Sequence, residues 1–334
     1  MSNTGDLNTP HVVHRVVAGT RLLGAWRGFA GGRAPLAVLA AFVLAIGVAA
    51  PSFLSAYSLG VLAGESSVIL ILAIGQTVVI ILGRIDLSMT ALASLTSVLI
   101  ALLLPKFGVA ALLGALCLAT LIGGVQGLVH ARAQIPSFVV TLAGLGLWSG
   151  VALSMAHTTV PVADGYELVG WLEDRRFGVP HAFLVGLTAL GLFQVALRRL
   201  PLGRYLYAIG LGEPVALLSG IRVWRVKVLA FAASGLCAGL AGMAMVARTS
   251  SGNPTIADSL LLPSLAAVLV GGTAITGGYG GLGRTLVGVL MVTVLRVGIA
   301  VVGIAPAYEP IAYGALVVSA VAVTADRDKR SIVK

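Results

Sequence analysis

The sequence predicts an all-α, polytopic membrane protein of about ten transmembrane helices, with both termini cytoplasmic. Three observations carry that expectation. Charged residues make up 10% of the 334 positions and hydrophobic residues 58%, whereas a soluble surface takes about 25% charge. The mean hydropathy is +1.03, and the apolar residues fall in long unbroken runs, not in the alternating segments of a membrane β-barrel. The basic residues also segregate to alternate connections between those runs, as the positive-inside rule requires.

The runs set the elements. A hydrocarbon core of about 30 Å takes about 20 helical residues at 1.5 Å each. With that ruler the candidate spans are Pro35–Ala50, Leu59–Leu82, Leu87–Leu104, Val109–Val129, Phe138–Met155, Pro180–Leu197, Val226–Val246, Leu260–Ile275, Gly283–Val302 and Tyr308–Thr324. The first and eighth are short and require tilt or local thinning of the bilayer. With the N-terminus inside, 17 Lys and Arg face the cytoplasm and 4 face outward (Lys106, Arg175, Arg176 and Arg248), with Arg296 inside a span. An odd number of spans would break that segregation. The formal net charge of +10 is therefore an orientation signal, and nucleic-acid binding is not expected.

Residues 1–34 form a basic cytoplasmic tail, 35–325 the membrane domain and 326–334 a second cytoplasmic tail. The leader is long for a cleaved signal peptide, so the first span reads as retained. The outer loop 156–179 is the longest connection on its side, carrying Asp164, Glu167, Glu173 and Asp174 beside Arg175 and Arg176; docking an external partner and plain solvation are equal readings of it. Cys117 and Cys237 sit within apolar runs and read as small hydrophobic side chains. The 43 glycines suit close helix packing in lipid.

No catalytic constellation is visible. None of the four lysines, Lys106, Lys227, Lys329 and Lys334, follows Gly or precedes Ser or Thr, so a phosphate-binding loop is absent. There is no His-Glu-x-x-His or Cys-x-x-Cys pattern, and no metal site is expected.

The breaks between runs are more informative. Gly83-Arg84-Ile85-Asp86-Leu87-Ser88 joins spans two and three, and Asp86 or Ser88 can cap the helix that follows. The stretch from Gly271 to Gly283 holds seven glycines, among them Gly271, Gly272, Gly277 and Gly278. Irregular backbone at membrane depth survives only where protein or a wet cavity satisfies it, and paired interruptions are a transporter device. In the inner loop 198–227, Glu213-Pro214 opens and Gly220 closes a short helix carrying Leu217 and Leu218, suited to a soluble partner or simply to ordering the loop. Two charges, Glu65 and Arg296, lie within spans about 9 Å below the outer end. Such ions usually pair or face a cavity. With the amides Gln76 and Gln126, also within spans, they are the candidates for lining a substrate pathway; the rival reading has Arg296 snorkelling outward and Glu65 neutral or hydrogen-bonded.

Taken together, these stretches resemble the permease subunits of ABC importers for simple sugars such as ribose, xylose, arabinose and galactose. The resemblance runs from about Pro51 onward. It is carried by Gly83–Ser88, by Ile135-Pro136-Ser137-Phe138-Val139-Val140-Thr141-Leu142 and by Leu202-Gly203-Arg204. Leu218-Ser219-Gly220-Ile221 and Val270-Gly271-Gly272-Thr273 with Gly277-Gly278 complete it. It implies a second permease subunit, a cytoplasmic ABC ATPase that binds ATP and magnesium in place of this chain, and a periplasmic substrate-binding protein. It also implies a bacterial inner-membrane location, with Glu213–Gly220 as the coupling helix. The sequence departs from the family pattern at Leu261-Leu262-Pro263, at Arg296-Val297-Gly298, at Gln126 and at Pro214, which marks a divergent member and leaves the cargo open. A branched-chain amino-acid permease and, in another class, an ion-coupled secondary transporter are the alternatives.

Overall fold

A computed structural model describes residues 34–324; the sequence-predicted tails fall outside it except for residue 34. Among the described residues a helix occupies each of the ten candidate spans. They are α1 (Ala34–Ala49), α2 (Ala56–Ile81), α3 (Met89–Phe107), α4 (Val109–Ala133), α5 (Ser137–Met155), α7 (His181–Arg199), α10 (Val223–Thr249), α11 (Leu261–Val270), α12 (Leu282–Val301) and α13 (Glu309–Thr324). Between them lie the short α6 (Glu167–Gly170), α8 (Pro201–Leu211) and α9 (Glu213–Leu218). Seven of the ten are long and apolar enough to cross a membrane.

Burial sorts these helices into layers. From Ser66 to Ile81 every residue of α2 is buried, and a helix that is apolar all round belongs at a core. It packs against α10, α12 and α7. The outer helices contact the rest through narrow stripes of small residues. On α5 the buried positions are Ser137, Thr141, Gly144 and Ala152; on α7 they are Ala182, Gly186, Ala189 and Leu197. In lipid nothing drives large apolar side chains inward, so close backbone approach supplies the contact. The α4–α10 crossing takes this furthest: a Cβ on Gly235 would stand 2.2 Å from the Ala119 carbonyl oxygen.

The eighth span differs from its sequence-based extent. Helix α11 ends at Val270 and has ten residues, about 15 Å of rise and half the hydrocarbon core. The rest, Gly271 to Gly281, is irregular because it folds back against the break between α2 and α3. The Gly278 N–H donates to the Ile81 carbonyl at 2.9 Å, and Gly277, at φ +84°, has its Cβ direction 2.5 Å from the Gly83 nitrogen. The two interruptions, about 190 residues apart in sequence, are one packed backbone junction. The Ile81 carbonyl at the end of α2 thereby finds a partner that lipid cannot supply.

On the opposite side, the 156–179 loop is more structured than a solvated connection. Val160–Pro161 pairs antiparallel with Ser251–Gly252, and Arg175–Arg176 pairs with Val179–Pro180. Val169 and Leu172 are buried, and Tyr166 Oη donates to the Ala247 carbonyl at 2.5 Å. The inner loop also holds an element absent from the sequence reading: α8, whose Gly203, Leu206 and Ile209 are buried.

Gly277→Ala places a methyl group against the Gly83 backbone in a left-handed conformation costing about 1–2 kcal/mol by itself. Thermal melting of the purified chain in detergent is expected to fall by several degrees. Gly283→Ala, with open space at its Cβ position, is expected to melt as the parent does.

Candidate functional site

The junction is the centre of two polar networks, one partly buried and one fully buried. The partly buried network begins at α9. Its first residue, Glu213, has its carboxylate bonded to Arg84 Nη2 at 2.5 Å and to Lys227 Nζ at 2.7 Å. Arg84 Nε donates to His130 Nε2 at 3.1 Å. Guanidinium has no acceptor, so His130 must carry its proton on Nδ1, which donates to the Ile135 carbonyl at 2.6 Å. Burial alone would raise the Glu213 carboxyl. The hydrogen bond and charge of Lys227, with the charge of Arg84, outweigh it and hold the group below its ordinary value. A cavity of about 540 Å³ opens beside these groups, lined by Arg84, His130, Gln134, Ser137, Glu213 and Lys227.

The buried network starts two residues further along the same break. Asp86 Oδ1 accepts from the Ser88 N–H at 2.9 Å and from Ser88 Oγ at 2.7 Å, and Oδ2 accepts from Ser234 Oγ at 2.7 Å. Ser88 Oγ also lies 2.8 Å from Gln126 Oε1. Asp86 therefore closes the turn into α3, while the Ser88 side chain makes no cap bond to α3. One carboxylate thereby ties the break to α10 through Ser234, while the one Ser88 hydroxyl hydrogen serves either Asp86 or Gln126 of α4. The Gln126 Nε2 faces Gly144 of α5, where a Cβ would stand 2.3 Å away.

At the far end of α2 a third cluster closes the bundle. Glu65 is bonded to Arg248 of α10 and lies 3.3 Å from Arg296 of α12. Arg296 Nε in turn is 3.3 Å from Glu309 of α13, whose carboxylate accepts from Tyr313 Oη at 3.1 Å. A cavity of about 190 Å³ lies against Glu65, Arg248 and Arg296. Glu65 and Arg296, placed at equal depth from position along their helices, are brought together. Arg248, which the sequence reading assigned to the outer loop, belongs to the last turn of α10, because that helix runs to Thr249.

The remaining sequence-predicted residues separate by role. Gln76 is fully buried on α2, and neither atom of its amide has a partner among the described residues. Pro214 stands in the first turn of α9, Leu217 is exposed and Leu218 is 90% exposed. Gly220, at φ +78°, ends the element as a left-handed glycine does. Gly271 and Gly272 belong to the junction loop; a Cβ on Gly271 would meet the Arg284 carbonyl at 2.4 Å. Sequence reasoning missed His130, Ser234 and Glu309. Ser234 had no local signal, since its partner Asp86 is 148 residues away.

These features define a helical membrane permease: a core helix interrupted at one end, closed by ion pairs at the other, with an exposed apolar element beside the interruption. Residues 58–321 match the family described as the branched-chain amino acid transport system permease component, and the chain belongs to that family. It is 34% identical over 264 residues to the ribose import permease protein of Escherichia coli (strain K12), covering 77% of this chain and 82% of that protein. It is 33% identical over 269 residues to the ribose import permease protein of Bacillus subtilis (strain 168), covering 77% and 81%. It is 31% identical over 304 residues to the fructose import permease protein of Rhizobium meliloti, covering 86% and 84%.

Two outcomes follow. Because the Glu213 carboxyl is depressed, its contribution to holding α9 is complete above the ordinary carboxylate range. It is lost as the pH falls through the folded-state value, which lies below the ordinary carboxylate range. The protection of the 212–220 amides, taken relative to their intrinsic exchange rate at each pH, is expected to fall there compared with pH 7, and no such pH-dependent loss is expected in Glu213→Gln. At the other end, Glu65→Gln and Arg296→Gln are expected to be non-additive in unfolding free energy by about 0.5–3 kcal/mol. Additivity would mean the two charges do not interact in solution.

Proposed function

We propose that this chain is the transmembrane subunit of an ATP-binding-cassette importer in a bacterial inner membrane, forming the pathway for a monosaccharide or related polyol. The energy comes from a cytoplasmic ABC ATPase that docks on α9 and binds the ATP and magnesium, and a periplasmic binding protein delivers the cargo at the Glu65–Arg296 end. A second permease subunit, a copy or a homologue, completes the pathway. One observation carries this reading: the most exposed apolar element beside the interruption, α9, is held by its Glu213 to Arg84 and Lys227.

The chemistry follows from that geometry. Val215, Leu217 and Leu218 present an exposed apolar surface fit to enter a groove on a soluble partner. A displacement of α9 pulls on Glu213 and hence on Arg84, two residues before Asp86. Asp86 is bonded to Ser234 of α10, so the movement of one short helix redistributes the packing around α2. At the other end, separation of Glu65 from Arg248 and Arg296 would open the bundle outward. Gln76 and Gln126 keep unpartnered amide atoms in the interior. Buried polar groups without partners are rare, and an amide that donates and accepts suits a sugar hydroxyl, which does both. The cargo assignment rests on the likeness to the ribose and fructose permeases and on the Gly83–Ser88 and Leu218–Ile221 stretches.

In proteoliposomes holding this chain, its ATPase and its binding protein, ATP-dependent uptake of labelled ribose or fructose is expected. Leu217→Asp with Leu218→Asp should weaken ATPase binding about 30-fold or more, as loss of interface anchors does. Helicity and melting should stay unchanged. Uptake by the chain alone, without ATP, would contradict the reading in favour of ion-coupled transport. ATP-driven uptake of leucine with none of the sugars would correct the cargo.

A further inference from the structure

Two guanidinium groups share one indole at the foot of an exposed apolar face. Arg132 Cζ lies 4.6 Å from the centroid of the Trp224 ring and Arg225 Cζ lies 5.3 Å from it. All three side chains are exposed. Neither arginine has a carboxylate partner among the described residues, and Glu213 is already engaged by Arg84 and Lys227. Like charges gathered at one ring repel unless an anion joins them.

The surface next to the pair is apolar in a directed way. On α4, Leu128, Val125 and Leu121 stand four, seven and eleven residues before Arg132. Those spacings put them on one helical face with it. They are 40%, 57% and 60% exposed. On α10, Leu229, Ala232 and Leu236 follow Arg225 at the same spacings; Leu229 is 51% exposed and the other two are half-buried. The Arg132–Trp224 contact joins the feet of the two stripes. A cationic foot, an interfacial indole and two apolar stripes rising from them match a phospholipid, whose phosphate takes arginine forks and whose tails take the stripes.

We propose that Arg132, Trp224 and Arg225 form a binding site for the headgroup of an anionic membrane phospholipid whose acyl chains lie along α4 and α10. The inference rests on the reading that this end of the bundle meets the cytoplasmic leaflet. A second copy of the chain in the same membrane orientation would bring its own basic end to the same depth, setting cation against cation. A soluble ATPase below the membrane would not reach the stripes.

The test uses the full chain in a neutral detergent, titrated with dioleoylphosphatidylglycerol, with dioleoylphosphatidylcholine and with inorganic phosphate, bound lipid being counted by native mass spectrometry. Saturable binding of phosphatidylglycerol over phosphatidylcholine is expected. Arg132→Gln with Arg225→Gln should weaken it about 30-fold, and the paired Lys variants should keep most of it. If the double variant does not fold, Arg132→Gln alone should cost about fivefold. Equal binding of the two lipids, or unchanged phosphatidylglycerol binding in the folded Gln variants, overturns the proposal. Displacement by millimolar inorganic phosphate makes this a free-anion site and overturns the lipid assignment. Conversion of a dimer to monomers by the Gln variants with lipid binding intact gives the face to a second copy, and likewise overturns it. Thiol labelling of Gln134→Cys from one side of sealed vesicles reads the orientation separately, so a failed topology and a failed lipid site are told apart.

Discussion

Backbone that leaves helical geometry inside a membrane must find its partners within the protein, and the junction of the two interruptions answers that constraint here. The loop after α2 and the loop after α11 satisfy each other: the Gly278 N–H reaches the Ile81 carbonyl, and Gly277 stacks on Gly83 with no room for a side chain. Burying polar backbone unpaired costs several kcal/mol per group, so parting the two loops leaves the Gly278 N–H and the Ile81 carbonyl to be satisfied elsewhere. The break carrying Arg84 and Asp86 is thereby held in one place, and both polar networks hang from it.

The two networks differ in how firmly they hold. Asp86 is buried and accepts three hydrogen bonds from Ser88 and Ser234, so removing it would leave buried hydroxyls without partners. The ion pairs of Glu213 lie near the surface, where such pairs are weak and separable. A rigid inner tie and a yielding outer one suit a part that transmits motion inward without unfolding. The Glu65–Arg248–Arg296–Glu309 cluster at the other end of α2 is likewise only partly buried, a closure that opens without desolvating or stranding a deep charge.

Much of the fold was legible because lipid enforces long apolar runs: a helix stands at each candidate span. The misses share a cause. α8 has only eleven residues, and its Leu202, Leu206 and Ile209 spacing lies inside the 198–227 stretch, which is too short of apolar length there to count as a span. α11 stops at Val270 because Gly271 to Gly281 pairs with a loop near Ile81, and composition does not reveal such a partner. The depth argument for Glu65 and Arg296 worked because rise per residue is fixed, so distance along a helix translates into height. Which neighbours complete the cluster, Arg248 and Glu309, depends on how helices are arranged around α2, and that is not written in any local pattern. The same holds for Ser234 against Asp86.

The central claim is that α9 and the junction move as one linked unit through Glu213. Hydrogen–deuterium exchange on the purified chain, comparing the parent with Glu213→Gln, tests it directly. The account predicts faster exchange in 212–220 and, together with it, in 82–88 and 271–281, while the amides around Glu65 and Arg296 stay as they were. Faster exchange confined to 212–220, with both junction loops unchanged, would contradict it.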